Sequence, residues 1–218
     1  MAYRRTERVI ARLAARQEAI IAAALALAGE KGMAAVQIAA VAERAGIAAG
    51  TVYRYFASKD DLVSAVVVVI SEREIAAIRS AAAAAPGPLS ALATAILTFA
   101  THVLRERRLS FAMLAGSAEG DAAADRLAFR RRLAEEFAAC IRAAIEAGHL
   151  PAQDAGFAAA AVIGALVEGL VGPLSAAPEA PDAQLSAAQG LTLFALRGLG
   201  VTDARSRGLV VQAANAAQ

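Results

Sequence analysis

Apolar positions recur three and four residues apart over almost the whole chain, the period of an α-helix with one buried face. Over residues 8–31, Leu13, Ile20, Ala24 and Leu27 keep this spacing, and Gly32 stands where a helix would end. The pattern then tightens. Val41, Ala42 and Ala45 mark one face of a short second helix that begins near Val36 or Gln37, and Val52, Tyr55 and Phe56 mark one face of a third, over about residues 48–55. Between them sits Gly46, whose residue type adopts the positive φ that a steep turn between helices demands, while Ala42 is small enough to let the pair close. The spacing predicts a helix-turn-helix over residues 37–59, with its second helix presented to the major groove of DNA.

Downstream, Ser58 precedes Lys59, Asp60 and Asp61, a helix cap followed by acids in the first turn. A long helix then runs through Leu62, Val66, Val69 and Ile70 to about residue 84, until Pro86, Gly87 and Pro88 break it. Further helices are predicted over residues 89–105, 109–117, 122–147, 155–171 and 183–199, with Pro178 and Pro181 separating the last two. The tail beyond Thr202 either frays or adds a short helix. No run alternates in the way a strand requires, so the fold class is all-α. Ala161, Ala165 and Gly169, spaced by four, leave a smooth stripe where another helix can approach; with residues 183–199 it suits the four-helix interface of a homodimer. The same stretch, residues 155–174, is long enough to suggest a membrane span, but Glu168 inside it and the lack of a flanking basic cluster argue for no membrane.

Composition adds setting. The chain has 218 residues, no tryptophan and one cysteine, Cys140, which forms no intramolecular disulfide and fits a small buried side chain. With no apolar segment of signal-peptide length at its start, a reducing, cytoplasmic location is expected. The net charge of +2 is unevenly placed: residues 1–59 hold nine Lys/Arg against four Asp/Glu, and the remainder 13 against 16. A surplus of +5 at one end favours a polyanionic partner there. Arg4, Arg5, Arg8, Arg12 and Arg16, opposed only by Glu7, form a basic arm that either follows a groove or phosphates of DNA or is a solvated terminus.

Within the third helix, Ala49, Gly50, Thr51, Arg54 and Tyr55 form the DNA-facing group, with Tyr53 beside them. Arg54 is the one long charged donor, suited to bidentate contact with guanine or to a phosphate. The methyl of Thr51 suits a thymine methyl, Gly50 permits close approach, and Gln37 can reach a phosphate or a base edge. Catalytic chemistry finds no support. There is no metal-ligand spacing, no phosphate-binding glycine loop and no partnered nucleophile, so no metal, no cofactor and no enzymatic activity are expected. Only His102 and His149 are available, and acid-base work would fall to carboxylates such as Glu168.

The run GTVYRYFASKDDL, with Ile20, Ala24, Gly32, Val41, Ala42, Gly46 and Ile47 upstream, resembles the amino-terminal domain of the TetR family of transcriptional repressors over about residues 12–66. The resemblance implies a DNA-binding domain in residues 1–60 and a ligand-binding and dimerisation domain in residues 61–218. Tyr53 and Lys59 stand where the family commonly grips the DNA backbone. An inducer cavity is implied among the bulky residues of the second domain, Phe99, His102, Val103, Phe111, Met113, Phe129 and Phe137, all of which also suit ordinary core packing. His102 would bond a ligand or satisfy local backbone, and Arg130, Arg131 and Arg132 would form a solvated face paired with Glu135 and Glu136. The implied activity is that of a homodimeric repressor on a double-stranded palindromic operator, released by a small apolar effector; a DNA-binding activator or architectural protein without an inducer is the alternative. Two departures weaken the docking chemistry: Val36 and Gln37 replace hydroxyl residues that cap the second helix and touch phosphate, and Ala48 replaces the hydroxyl cap of the third.

Overall fold

A computed structural model describes residues 2–115 and 122–216, with side chains from Val9 onward. Among them are ten α-helices and one 3-10 turn, and no strand. The chain divides into two compact units, the first reaching to Val69 and taking in the first residues of a later helix through Asp125, the second holding the rest.

In the first unit α1 (Ala2–Lys31) ends at Gly32, a 3-10 turn spans Met33–Ala35, and α2 (Ile38–Arg44) and α3 (Ala49–Tyr53) follow. Ile20, Ala24, Leu27 and Ala28 of α1 close over Val36, Val41, Ala42, Val52 and Phe56, all buried. Leu13 departs from the expected face: it is 43% exposed, as are Val9 and Ile10 to similar degrees, because the first half of α1 extends beyond the helices that cover its second half. The arm residues Arg4, Arg5 and Arg8 lie in α1, but their side chains fall outside the described residues; Arg12 and Arg16 are exposed along it.

The helix α4 (Lys59–Ala83) starts in the first unit and continues into the second. Its start is a reciprocal cap: the Asp61 N–H donates to Ser58 Oγ at 3.0 Å and the Ser58 N–H to the Asp61 carboxylate at 2.9 Å.

The second unit is organised around α5 (Pro88–Arg105), which begins with proline in the first turn and buries a broad apolar face, leaving Ser90, Thr94, Thr98 and Thr101 along a half-buried stripe. It packs closely along α9 (Pro181–Gly198) and α10 (Asp203–Ala216), and also meets α6 (Arg107–Leu114) and α8 (Ala155–Leu170). By length and composition α5 would span a bilayer, yet it is the core helix of this unit. The tail forms a full helix of 14 residues whose Leu209, Val210, Ala213 and Ala214 are buried. The helix expected over residues 109–117 is α6; Ser117 lies outside the described residues. The helix α7 (Ala122–Glu146) turns at Gly148, and α8 is capped by Asp154, which accepts from Gly156 N–H at 2.8 Å and Phe157 N–H at 3.0 Å. Arg130 and Arg131 are exposed, but Glu136 does not pair with them; it takes Arg79 of α4, with Arg79 Nε at 2.8 Å.

Candidate nucleic-acid interface

The turn between α2 and α3 is built by the backbone. The Ile47 N–H donates to Ala42 C=O at 3.0 Å and the Gly46 N–H to Glu43 C=O at 3.1 Å, the paired bonds that close a helix on a left-handed residue. Gly46 supplies that residue with φ +64°. The steep exit lets Val52 and Phe56 plug the core, at 0% and 5% exposure, so the opposite side of α3 turns outward. Ala49, Gly50, Tyr53 and Arg54 are exposed there, while Thr51 and Tyr55 are half-buried at its margins. Tyr53 is 55% exposed and so contributes to the surface rather than the core.

The helix is short. After Tyr53 the chain tightens, with the Arg54 N–H donating to Thr51 C=O at 3.2 Å, and neither Ala48 nor Gln37 gives a side-chain cap to the helix it precedes. Gln37 instead donates from Nε2 to Ala34 C=O at 3.0 Å, an exposed local bond that DNA would have to displace. Lys59 opens α4 and is exposed. Arg44, exposed at the end of α2, is already held: both guanidinium Nη atoms meet Glu30 oxygens at 2.6 Å, and this bond lowers the pKa of Glu30 and raises that of Arg44. The surplus of +5 already counts Glu30, so it is carried by the other basic residues of the unit.

In the second unit the residues expected to line a cavity separate. Phe99, His102 and Phe137 lie where side chains of α4, α5 and α7 meet, and Val103 is buried on α5. The rings of Phe99 and Phe137 stand edge to face, 6.0 Å between centroids and 81° apart. His102 Nδ1 lies 3.1 Å from Glu74 Oε2, and this hydrogen bond raises the imidazole pKa above its ordinary 6.5, against the opposing effect of burial. With Arg79 bonded to Glu136, each of the three helices is tied to the other two by one side-chain contact. Met113 and Phe129 are buried in the same unit, and Phe111 is 48% exposed. Glu74 escaped the reading of the sequence; its signal is a lone acid spaced among Ser71, Ile75 and Ile78 on the inward face of α4.

Of the small-residue stripe on α8, Ala161 and Gly169 are exposed and Ala165 half-buried; a Cβ at Gly169 would come within 2.8 Å of the Leu191 side chain on α9. The outward face of α8 and α9 is apolar, with Phe157 77% and Phe194 61% exposed. Glu168 accepts from the Leu174 N–H at 3.2 Å and serves the loop after α8.

Known proteins divide along the same line. Residues 20–66 match the family profile described as bacterial regulatory proteins, tetR family. A segment of 44 residues is 59% identical to the HTH-type transcriptional repressor KstR of Rhodococcus jostii, covering 20% of this chain and 21% of that protein. The aligned part is therefore about a fifth of the relative's length. Whole-chain likeness is one of fold. The crystal structure of RolR in complex with resorcinol aligns with TM-score 0.68 and 24% identity over 92% of this chain and 95% of that one. FadR from Bacillus subtilis, in complex with stearoyl-CoA, aligns with TM-score 0.70 and 17% identity over 83% and 98%.

Proposed function

This chain belongs to the TetR family of transcriptional regulators, and on that premise we propose that it represses transcription as a homodimer on a palindromic operator and is released by a small, apolar effector. The observation that carries the reading is the outward row Ala49, Gly50, Tyr53 and Arg54 on a short helix whose inner face is anchored by Val52 and Phe56. Two small residues at the start of the helix let its backbone approach the groove, and Arg54 at its end brings the donor that distinguishes guanine. Tyr53 and Lys59 contact phosphates on either side, with Gln37, Thr51 and Tyr55 at the edges of the footprint. A single helix of this length reads few base pairs, so two copies related by a two-fold axis supply the specificity. Residues 1–60 are the DNA-binding part and residues 61–218 the effector and dimerisation part.

For dimerisation, the exposed apolar positions of α8 and α9, with Ala161 and Gly169 among them and Ala165 half-buried between, support a four-helix interface. Resorcinol and stearoyl-CoA, bound by two proteins of the same fold, indicate how widely effectors of this architecture range. An effector lodged beside α4 in the second unit would act by shifting that helix, and with it the distance between the two recognition helices. The setting is the cytoplasm, without a membrane partner.

The test is selection of fragments from the source genome with purified protein, followed by binding to the best fragment across a salt series. A palindromic site bound by two chains is the expected result. Enrichment of no site, even at low salt, would remove the regulator reading.

A further inference from the structure

The junction of α4, α5 and α7 contains a polar atom that the fold leaves unserved. Glu74 lies on the inward face of α4 with its side chain 18% exposed; one oxygen, Oε2, is 3.1 Å from His102 Nδ1. The other, Oε1, is shielded from solvent and, among the described residues, has no hydrogen-bond donor. A carboxylate oxygen in this condition is costly, because desolvation is not offset by a bond. His102 does not serve it: its second ring nitrogen belongs to the same ring that holds Oε2, and a planar imidazole does not turn both nitrogens toward one carboxylate.

The surroundings of the pair define what could serve it. His102 is one helical turn from Phe99 on the same face of α5, and Phe99 meets Phe137 edge to face. Glu74 is followed on its own face by the buried Ile75 and Ile78. The backbones of α9 and α10 crowd α5 on one side, whereas α4 and α7 reach it chiefly through long side chains. That is the side on which the aromatic rings and the Glu74–His102 pair lie.

We infer that the Glu74–His102 pair is the polar anchor of the effector site, and that it takes a neutral aryl hydroxyl: the ring packs against Phe99 and Phe137 and the O–H donates to Glu74 Oε1. The inference rests on the effector reading above and narrows it from an apolar molecule to one with a hydrogen-bond donor at one end. Charge decides among donors and acceptors. His102 already occupies Oε2, so what the remaining oxygen lacks is a single hydrogen-bond donor rather than a second charge. An anionic head group would have to face a carboxylate oxygen at short range, which is repulsive.

The test measures binding of 4-ethylphenol, ethylbenzene, 4-ethylanisole, 4-ethylbenzoate and 4-ethylbenzylamine to the full-length protein by calorimetry. The phenol is expected to bind on the order of ten-fold or more tightly than ethylbenzene, from a hydrogen bond to a charged acceptor. The anisole, which keeps the oxygen and loses the donor, should fall with ethylbenzene. In Glu74→Leu the preference for the phenol disappears; Glu74→Gln, which keeps the side-chain size, reduces it strongly should the leucine variant fold poorly. Because each preference is a ratio within one protein, a general loss of stability does not imitate it. Equal binding of phenol and ethylbenzene, an unchanged ratio in both variants, tightest binding of the benzoate or the amine, or no binding of any probe overturns the inference. Operator binding is followed in the same preparations. A protein that holds its operator and releases it to another compound, while ignoring the phenol hydroxyl, defeats this inference and leaves the regulator reading standing. Absence of operator binding beside a clear hydroxyl preference does the reverse.

Discussion

In the amino-terminal unit the features that set the shape are neighbours in sequence, whereas in the larger unit they are joined across long stretches of chain. The turn at Gly46 and the cap at Ser58 are each closed by bonds spanning three to five residues. The junction in the second unit depends on Glu74 meeting His102, 28 residues away, and Arg79 meeting Glu136, 57 residues away. Local closure makes a recognition surface that a short contiguous segment specifies. Long-range closure makes an interior whose chemistry depends on which few side chains meet, so the same fold accepts different contents.

Four measurements press on this contrast. The largest effect is expected from Phe137→Ala, which empties a fully buried ring position and should lower unfolding free energy by about 3–5 kcal/mol in denaturant titration. A loss confined to a few tenths would mean that the junction is loosely packed. Next is Arg54→Ala: operator affinity should fall by about 1–3 kcal/mol and discrimination at one base pair relax, with the denaturation midpoint unchanged because the side chain is exposed. An equal loss across all DNA sequences would reassign Arg54 to phosphate. Gly46→Ala forces an L side chain into φ +64° and should cost about 1–2 kcal/mol, although a Cβ there meets nothing within 4 Å. Strain alone, without a clash, is thus separable from packing in the one unit.

The smallest effect concerns acidity. The pKa of His102 is raised in the folded chain, so its contribution is fully present below the ordinary imidazole value of 6.5 and is lost as pH rises through the higher folded value. The thermal midpoint of the intact protein should decline as pH rises above the ordinary imidazole value of 6.5. The decline should be shallower in His102→Gln; identical profiles would detach the pair from stability.

What the sequence disclosed follows the same division. The helix-turn-helix was legible because glycine at one position, inward residues three and four apart on two short helices and a serine cap are all local signals. The helices of the second unit were legible from proline punctuation and apolar period, including α5, which starts at Pro88 as the break in the pattern implies. Leu13 misled because period alone says that a face exists and not how far its partners extend. Glu74 stayed hidden because a single acid on an apolar face acquires meaning only from the residue opposite it, and Glu136 seemed served by arginines one turn away until α4 brought Arg79 to it. The helix α10 was indistinct because alanine supplies much of its inward face, and alanine marks a buried position only weakly.

The close fit of Gly169 against Leu191 has a consequence for heredity as much as for packing. In the proposed dimer, α8 and α9 meet a second chain as a plate already joined, so the fit between copies is inherited from a fit within each copy. A change of one hydrogen to a methyl at residue 169 would press on the end of the Leu191 side chain and add bulk at an exposed position of the plate. After a gene duplication, such a change would let two sister regulators stop pairing with one another while each still paired with itself.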